Sequence, residues 1–360
     1  MAIGPAEGLA LSVVVPVRDG ADFLPLSLAA LRASDLPGGS WELIVVDDGS
    51  RDGSADIAAP YADRIVRLPA PASGAPAARN RGTDVARAPV IVFVDADVCV
   101  HRDALRRIRE VFAEAQDISA VFGAYDLAPA APGLVSQYRN LLHSYVHRRD
   151  AGEAVTFWTG LGAIRRRVLE GCGGFDEGER LDDVELGYRM SMQGHRIVLN
   201  CNIQGTHLKR WTLGSIVTTD LGDRGVPWVR LLLQGRRPPG RATLNLKGME
   251  QLLTALTGLA ALALAIGMAW GDARWLFGSG MAASGVIAGD WRFLRWLAAR
   301  RGRGFAVSTI PLRLLYFALN LVAVGLALVP VSWRRRESRQ TSALPGGWAT
   351  PPVSRGPEAP

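Results

Sequence analysis

An apolar run that stops on two aspartates constrains this chain more than any other feature of its sequence. Residues 90–94, VIVFV, are apolar without alternation, which predicts a strand buried on both faces. The run ends on Asp95-Ala96-Asp97, and side chains two positions apart along a strand point the same way. Two such carboxylates repel each other unless a cation joins them, and Mg²⁺ or Mn²⁺ prefers oxygen ligands. The motif therefore predicts a divalent-metal site, although an isolated Asp-x-Asp is also typical of a solvated acidic turn.

Strand-like and helix-like segments alternate over the first part of the chain. Apolar runs that predict strands begin near residues 11, 41, 64 and 90, with helical spacing between them. This alternation predicts an α/β fold with a parallel sheet, whose ligands bind beyond the carboxyl ends of the strands. Polar segments follow the first two strands, at residues 16–19 and 47–48. We expect them to line one pocket together with the Asp-x-Asp motif. The sequence has no glycine-rich dinucleotide fingerprint and no Walker A loop, which argues against NAD and P-loop nucleotide binding.

Charge and cysteine content narrow the classes of function. The chain of 360 residues carries a formal net charge of +7, and its arginines cluster beside the apolar segments after residue 224. This placement favours contact with anionic lipid, and no nucleic-acid motif is present, so we expect no nucleic-acid partner. Cys99, Cys172 and Cys201 form no Cys-x-x-Cys pair, which predicts neither a zinc site nor a disulfide framework and fits a reduced compartment. The N-terminus lacks the basic region of a signal peptide, so we expect the catalytic part to stay cytoplasmic.

The last third of the chain is expected to meet a membrane. Residues 251–271 and 305–331 are each apolar over a length that can cross a bilayer. Residues 275–289 are too short to cross unless residues 291–296 continue the helix. The sequence therefore predicts two or three transmembrane helices. With two helices or with three, one group of arginines would lie outside the cytoplasm, against their usual tendency to remain on the cytoplasmic side. The topology therefore stays open.

Four motifs between residues 13 and 98 carry a family resemblance: VVVPVRDG, VVDDGSRDGS, SGAPAARNRG and FVDADV. In this order they resemble the nucleotide-sugar half of family 2 glycosyltransferases, whose GT-A fold is a Rossmann-like nucleotide-sugar-binding domain. The resemblance implies a nucleotide-sugar donor, in the first place a UDP-sugar, with Mg²⁺ or Mn²⁺ as cofactor. The residues that it implies are Pro16, Arg18 and Asp19 beside the nucleoside, Asp47 or Asp48 on the base or ribose, Arg79 near the uracil or diphosphate, and Asp95 and Asp97 on the ribose and the metal.

The next segments, FWTGLGAIRRRVLEGCGGFDE and LDDVELGYRMSMQGHRIV, resemble the acceptor half of the same family. The resemblance makes Asp183 the general base and Asp182 its support, although Asp182 stands where the family more often has Glu. A carboxylate at a helix N-terminus is also typical of a capping residue, which is the alternative interpretation. His143 and His147 lie one turn apart in a predicted amphipathic helix. We interpret them as packing or surface histidines, because no third metal ligand lies near them.

Residues 207–211, HLKRW, resemble the Gln-x-x-Arg-Trp motif of membrane polysaccharide synthases, with His in place of Gln. The resemblance implies that Lys209 and Arg210 contact phosphate and that Trp211 stacks on the terminal sugar of the acceptor. It also implies that His207 contacts phosphate or the metal. A basic loop lying on the membrane surface is the alternative interpretation of this segment.

These inferences predict an inverting glycosyltransferase of the bacterial inner (cytoplasmic) membrane, multi-pass, with a cytoplasmic catalytic domain. It would transfer a sugar from a nucleotide-sugar donor to a hydroxyl of a membrane-proximal lipid or glycan. The expected division is residues 1–225 as the GT-A domain, 226–250 as an interfacial segment, 251–331 as the membrane region and 332–360 as a disordered tail. Two alternatives remain open: transfer onto polyprenyl phosphate, and a catalytically inactive membrane scaffold with this fold.

Overall fold

The structure, a computed structural model, describes residues 8–234 and 248–329. A single sheet of nine strands runs through the N-terminal part, in the order β3-β2-β1-β4-β8-β6-β9-β5, with β7 paired to β9. The strands are β1 Leu11–Val17, β2 Trp41–Asp47, β3 Arg64–Arg67, β4 Val90–Val94, β5 Val98–Val100, β6 Ile118–Tyr125, β7 Gly152–Ala154, β8 Leu161–Arg165 and β9 Arg196–His207. The predicted α/β architecture is confirmed.

Helices cover both faces of the sheet, and the described residues after β9 are also helical. The helices of the first part are α1 Leu24–Arg32, α2 Ser54–Ala58, α3 Ala75–Val85, α4 Ala104–Glu114, α5 Leu134–Arg149, α6 Arg166–Gly171 and α7 Asp182–Met192. Those that follow are α8 Leu213–Thr218, α9 Val226–Leu233, α10 Gly248–Trp270, α11 Ala273–Gly289, α12 Trp291–Arg301, α13 Arg303–Ser308 and α14 Ile310–Leu328.

The first four strands form the parallel half that the sequence predicts. β1 pairs in parallel with β2 and β4, and β2 pairs in parallel with β3. Every residue of β2 and β4 is buried, because helices cover both faces. Helix α3 crosses β1 so closely that a Cβ at Gly82 would lie 2.3 Å from Val14 Cγ1. The carboxyl ends of β1, β2 and β4 therefore share one edge of the sheet.

The second half of the sheet is mixed rather than parallel. β8 pairs antiparallel with both β4 and β6, while β6 pairs in parallel with the long strand β9. The short strand β5 follows the Asp-x-Asp motif directly and pairs antiparallel with the end of β9, Val98 opposite His207. The sequence analysis did not identify β5. It matters because it fixes the Asp-x-Asp segment against the end of β9.

A continuous helical segment leaves the sheet after β9. Helices α8 and α9 are joined by a π-helical turn, Thr219–Gly225, so residues 213–233 form one rod. The expected boundary between residues 225 and 226 falls inside this rod, and the division into domains stays a prediction. The arginines at 236, 237 and 241 and the tail 332–360 lie outside the described residues.

Among the residues that the structure describes, two helical segments are long and apolar enough to cross a membrane, by length and composition: α10 and the segment Arg303–Leu328 that contains α14. The continuation that a third span would need is interrupted, because α11 ends at Gly289 and α12 begins as a separate helix after Asp290. The choice between two and three spans stays a prediction. Asp290 accepts from Arg313 of α14 at 2.6 and 3.0 Å, and both side chains are buried. This pair explains how an arginine is accommodated near the start of an apolar helix.

Helix α5 connects the sheet to the C-terminal helices. On one side, Ser144 Oγ donates to the carbonyl of Tyr125, at the end of β6. On the other side, Tyr138, Leu141 and their neighbours form one apolar cluster with Leu253 of α10 and Phe317 of α14. The two halves of the chain are therefore packed together through α5.

Candidate active site

The ends of β1 and β2 are organised by aspartate side chains that bind backbone amides. Both carboxylate oxygens of Asp48 accept from the loop before α3, from Ser73 N at 2.7 Å and Gly74 N at 2.8 Å. Asp47 Oδ1 accepts from Ser50 N at 3.1 Å. Charge-assisted bonds of this kind hold a loop firmly. The predicted donor residues Asp47 and Asp48 thus lie at the expected edge, and they also shape its loops.

The loop after β1 is held by Asp19, which adopts a left-handed conformation with φ of 49°. Its backbone N donates to Ser50 Oγ at 3.0 Å, and its Oδ1 accepts from Arg51 N at 2.8 Å. These bonds join the loops that follow β1 and β2. Arg18 is exposed and Pro16 is half-buried at the same edge.

The Asp-x-Asp motif lies where β4 ends, and its two carboxylates contact different side chains. Asp95 Oδ1 lies 3.3 Å from Arg79 Nη2, whereas Asp97 Oδ2 lies 3.2 Å from His207 Nε2. The backbone carbonyl of Asp97 also accepts from Leu208 N at 2.8 Å. Burial alone would raise the pKa of Asp97, but the hydrogen bond and charge of His207, together with the charge of Lys209, lower it.

Arg79 bridges the two halves of the site. Its Nη1 donates to Asp182 Oδ2 at 2.6 Å, while Nη2 contacts Asp95, and the side chains of Arg79 and Asp182 are only 7% and 9% exposed. Burial and the neighbouring carboxylate of Asp183 raise the pKa of Asp182 to about 6, against the opposing charge of Arg79. Arg79, predicted near the uracil or diphosphate, is thus an internal link between α3, the end of β4 and the start of α7.

Asp183 differs from the other acids of this group in that its side-chain hydrogen bonds come from backbone amides. It is half-buried in the first turn of α7, with Oδ1 accepting from Val184 N at 2.8 Å and Oδ2 at 3.5 Å from Thr159 N. A helix N-terminus stabilises the charged form of a carboxylate. Asp183 can therefore accept a further hydrogen bond from a molecule in the cleft.

His207 is held from its far side by a residue that the sequence analysis missed. Its Nδ1 lies 2.7 Å from Asn140 Oδ1, on α5, and its ring stacks on Tyr125 with centroids 4.5 Å apart and planes at 7°. Tyr125 is the last residue of the buried strand β6. A polar residue at the end of a buried strand is the same pattern that identified the Asp-x-Asp motif, so the sequence does indicate this position. No local pattern singles out Asn140.

The basic segment after β9 packs into the fold through Trp211. Trp211 is buried with Ile216 and Leu319, and Arg139 and Lys209 lie over its ring, Lys209 Nζ at 4.4 Å from the centroid. The prediction that Trp211 stacks on an acceptor sugar stays a prediction, and in this structure packing covers most of its ring. Lys209 remains half-buried beside Asp97, and Arg210 is exposed.

The histidines of α5 are packing residues, as interpreted from the sequence. His143 lies with its ring 4.4 Å from Tyr125 and 4.1 Å from His147, and both histidines contact Trp158. Burial lowers the pKa of both imidazoles, that of His147 to about 4. They therefore stay neutral and form part of the aromatic wall behind His207.

Within residues 8–234 and 248–329, no group of three or more His, Cys, Asp or Glu side chains is assembled to hold a metal ion. The predicted set of Asp95, Asp97 and His207 is thus not gathered as three ligands, because Asp95 turns to Arg79. Asp97 and His207 face each other, and the Asp97 side chain is 22% exposed to the cleft.

Comparisons with known proteins agree with this architecture. The model of glycosyl transferase family 2 matches residues 12–173. The chain is 31% identical over 101 residues to glycosyltransferase AglE of Haloferax volcanii, covering 27% of this chain and 33% of that protein. It is 27% identical over 224 residues to validoxylamine A glucosyltransferase of Streptomyces hygroscopicus subsp. jinggangensis, covering 51% and 52%. The chain thus spans about half or less of the length of these curated relatives.

A solved structure has the same fold. The mannosyltransferase PcManGT from Pyrobaculum calidifontis, in complex with GDP-Man and Mn²⁺, aligns with a TM-score of 0.53 and 18% identity, covering 87% of this chain and 86% of that chain. The acids of α7 and the segment around His207 lie beyond the region that the family model matches. The motifs at the strand ends, the mixed sheet and these matches together show that residues 12–173 are similar to glycosyl transferase family 2 and that the chain has the GT-A fold of its solved neighbour.

Proposed function

We propose that this protein is a metal-dependent, inverting glycosyltransferase that moves a sugar from a nucleotide donor to a hydroxyl of a membrane-proximal lipid or glycan. One observation carries the proposal: Arg79 joins Asp95 at the end of β4 to Asp182 at the start of α7, next to Asp183. This link supports the proposal that the donor and the acceptor bind side by side, at the ends of β4 and α7. The alternative interpretation of Asp182 and Asp183 as mere capping residues leaves this bridge unexplained.

The donor is proposed to lie along the carboxyl ends of β1, β2 and β4. Pro16, Arg18 and Asp19 would contact the nucleoside, and Asp47 or Asp48 would accept from its base or ribose. The family match covers these strands, and the structural neighbour PcManGT is in complex with GDP-Man. We propose a UDP-sugar as donor and treat a GDP-sugar as the competing choice.

The residues around Asp97 fit a divalent cation. The Asp97 carboxylate and the His207 imidazole nitrogen face each other, which leaves the other ligand positions of a cation to diphosphate oxygens. Mg²⁺ in nucleotide sites is commonly bound by one or two carboxylates together with substrate phosphates. An imidazole ligand also suits Mn²⁺. Asp97 and His207 would hold the ion, with Asp95 beside them. When bound, the cation would neutralise charge that develops on the departing diphosphate. Lys209 and Arg210 would add positive charge at the same place.

Asp183 is proposed as the general base. The acceptor oxygen forms a bond to the anomeric carbon as its proton passes to the Asp183 carboxylate. The bond from that carbon to the diphosphate oxygen breaks, and the nucleoside diphosphate leaves with the electron pair. A single displacement of this kind inverts the configuration at the sugar. A positioned base typically contributes about 10²–10⁴-fold to the rate.

Association with a membrane is proposed from the two apolar helices. Leu259, Leu262 and Met268 of α10 and Leu326 of α14 are among their exposed side chains, and a hydrocarbon environment would cover them. We propose that α10 and α14 anchor the chain with its catalytic cleft on the cytoplasmic side. Such an anchor would bring a lipid-linked acceptor close to Asp183.

The proposal is tested by screening donors with the full chain purified in detergent. UDP- and GDP-sugars are supplied with Mn²⁺ or Mg²⁺, and released nucleoside diphosphate is measured. Turnover that is lost in Asp97→Ala supports the assignment, whereas no release from any donor with any cation contradicts it. Asp183→Asn then distinguishes the acceptors. An inactive Asp183→Asn indicates a hydroxyl, while an active one indicates a phosphate acceptor, which is already ionised near neutral pH.

A further inference from the structure

Helix α12 has an apolar face that is buried and a basic face that is exposed. Phe293, Leu294 and Leu297 are buried. The ring of Phe293 lies 5.0 Å from that of Tyr145 and 6.2 Å from that of Tyr138, both on α5. The position of α12 on the catalytic part of the chain is therefore fixed by packing.

The exposed arginines of α12 and of the start of α13 form a surface that we call the α12 basic face. Its members are Arg292, Arg295, Arg300, Arg301 and Arg303, all of them exposed. Within the described parts of the chain, none of these arginines has a carboxylate partner, and residues 291–329 contain no Asp or Glu.

The few contacts of this face leave its charge uncompensated. Arg301 Nη2 donates to the carbonyl of Leu127 at 3.4 Å, and the Arg300 guanidinium lies 4.1 Å from the ring centroid of Trp296. The nearest acid in sequence, Asp290, is already bound by Arg313. Clustered charges of one sign repel one another in the folded chain, so an anionic partner would stabilise them.

The surroundings of the α12 basic face indicate which anion it meets. Trp291, the first residue of α12, is 61% exposed, and Val307 of the following helix α13 is 63% exposed. Exposed aromatic and apolar side chains beside arginines are typical of the lipid–water interface. A nucleic acid or an acidic protein would satisfy the arginines but would leave these apolar side chains in water.

We propose that the α12 basic face binds the phosphate headgroups of anionic phospholipids and so sets how the catalytic part lies on the membrane. This inference rests on the membrane association proposed above. Because α5 contacts α12 through Tyr138 and Tyr145 and contacts His207 through Asn140, the lipid-facing helix and the cleft share one rigid support.

The experiment compares two lipids that differ in charge. Dioctanoyl phosphatidylglycerol or dioctanoyl phosphatidylcholine is titrated into the full chain in detergent, and binding is read from the thermal unfolding temperature and from tryptophan fluorescence. One basic residue near an anionic surface is worth about fivefold in affinity. The triple variant Arg292→Gln, Arg295→Gln, Arg303→Gln should therefore bind phosphatidylglycerol about a hundredfold more weakly, with phosphatidylcholine unchanged.

The matched control removes the same charge elsewhere. Arg102, Arg109 and Arg167 are exposed on the catalytic part, and their triple Gln variant should keep the preference for phosphatidylglycerol. Equal loss in both variants would show a net-charge effect and would overturn the proposal. So would an unchanged α12 variant. Binding of a 20-nucleotide RNA that depends on the α12 arginines, without a lipid preference, would assign the surface to nucleic acid instead.

The lipid result and the enzymatic result are separable. Nucleoside diphosphate release is measured on the same preparations, and the unfolding temperature without lipid shows that each variant is folded. Turnover without a lipid preference overturns this inference alone. A lipid preference without turnover on any donor contradicts the proposed function alone.

Discussion

Arg79 Nη1 lies 2.6 Å from Asp182 Oδ2, joining residues 103 positions apart. The pair is buried, and Arg79 also contacts Asp95 at 3.3 Å. Removing one member of a buried ion pair leaves the other charge uncompensated and costs about 3–5 kcal/mol of folding free energy. We expect Arg79→Met to lower the free energy of unfolding by that amount, measured by chemical denaturation in detergent.

The double variant Arg79→Met, Asp182→Leu serves as the control for this pair, because it removes both charges at once. It should be more stable than Arg79→Met alone. If the two variants are equally unstable, packing of the arginine rather than its charge dominates at this position.

The raised pKa of Asp182 predicts a specific dependence of stability on pH. Its pKa is about 6 in the folded chain and near 3.8 when unfolded, so the folded state binds the proton more tightly. The stabilisation by that proton is fully present below pH 4 and is lost as pH rises through 6. Relative to Asp182→Asn, the wild type should lose about 2 kcal/mol of unfolding free energy between pH 4 and pH 7.

The measurement is the difference in unfolding free energy between wild type and Asp182→Asn at several pH values. Taking the difference cancels the titration of carboxyls that both proteins share, such as that of Asp97. A difference that stays constant across this range would show that the pKa of Asp182 is not raised.

Asn140 is expected to act on metal affinity through His207. Its Oδ1 lies 2.7 Å from His207 Nδ1, which leaves Nε2 facing Asp97. Partners of a metal-binding imidazole typically contribute 10–100-fold to metal affinity. In Asn140→Ala, the Mn²⁺ concentration for half-maximal activity should rise by about that factor, and Mn²⁺ binding measured by calorimetry should weaken in parallel.

Asn202→Ala is the matched control, since Asn202 is exposed on β9 away from His207. It should leave Mn²⁺ binding unchanged. An Asn140→Ala protein with normal Mn²⁺ binding but reduced turnover would mean that His207 serves the substrate rather than the metal.

The parallel half of the fold could be predicted because its signals are local. Continuous apolar runs end in Asp47-Asp48 and in Asp95-Ala96-Asp97, and both pairs lie at the predicted edge of the sheet. The mixed half could not be predicted in the same way. The order β8-β6-β9-β5 depends on pairings between distant segments, and the three residues of β5 carry too little pattern to be separated from the loop.

The acidic residues of the candidate site could be predicted from the sequence, whereas the side chains that they contact were harder to predict. A carboxylate at a strand end or a helix start is visible in sequence, whereas the choice between Arg79 and a substrate as its partner depends on packing between α3 and α7. Trp211 shows the same limit. Its motif indicated a ligand contact, but Leu319, more than a hundred residues later, contributes to the cluster that buries its ring.

The position of α7, which carries Asp182 and Asp183, depends on the absence of a side chain at Gly187. A Cβ there would lie 2.3 Å from Phe157 N and 2.6 Å from the Thr156 carbonyl carbon, both of them backbone atoms. Backbone yields less readily than a side chain, so Gly187→Ala must push α7 away from the segment before β8. We expect a loss of about 3 kcal/mol in unfolding free energy and of most activity.

Gly171→Ala provides the comparison, because a Cβ at Gly171, also in a helix, meets no atom within 4 Å. It should be as stable as the wild type or slightly more so, since alanine favours the helix. The two variants are compared by thermal unfolding and by nucleoside diphosphate release. If Gly187→Ala keeps both its stability and its turnover, α7 can shift without disturbing Asp183, and the close packing of this helix is not what positions the proposed base.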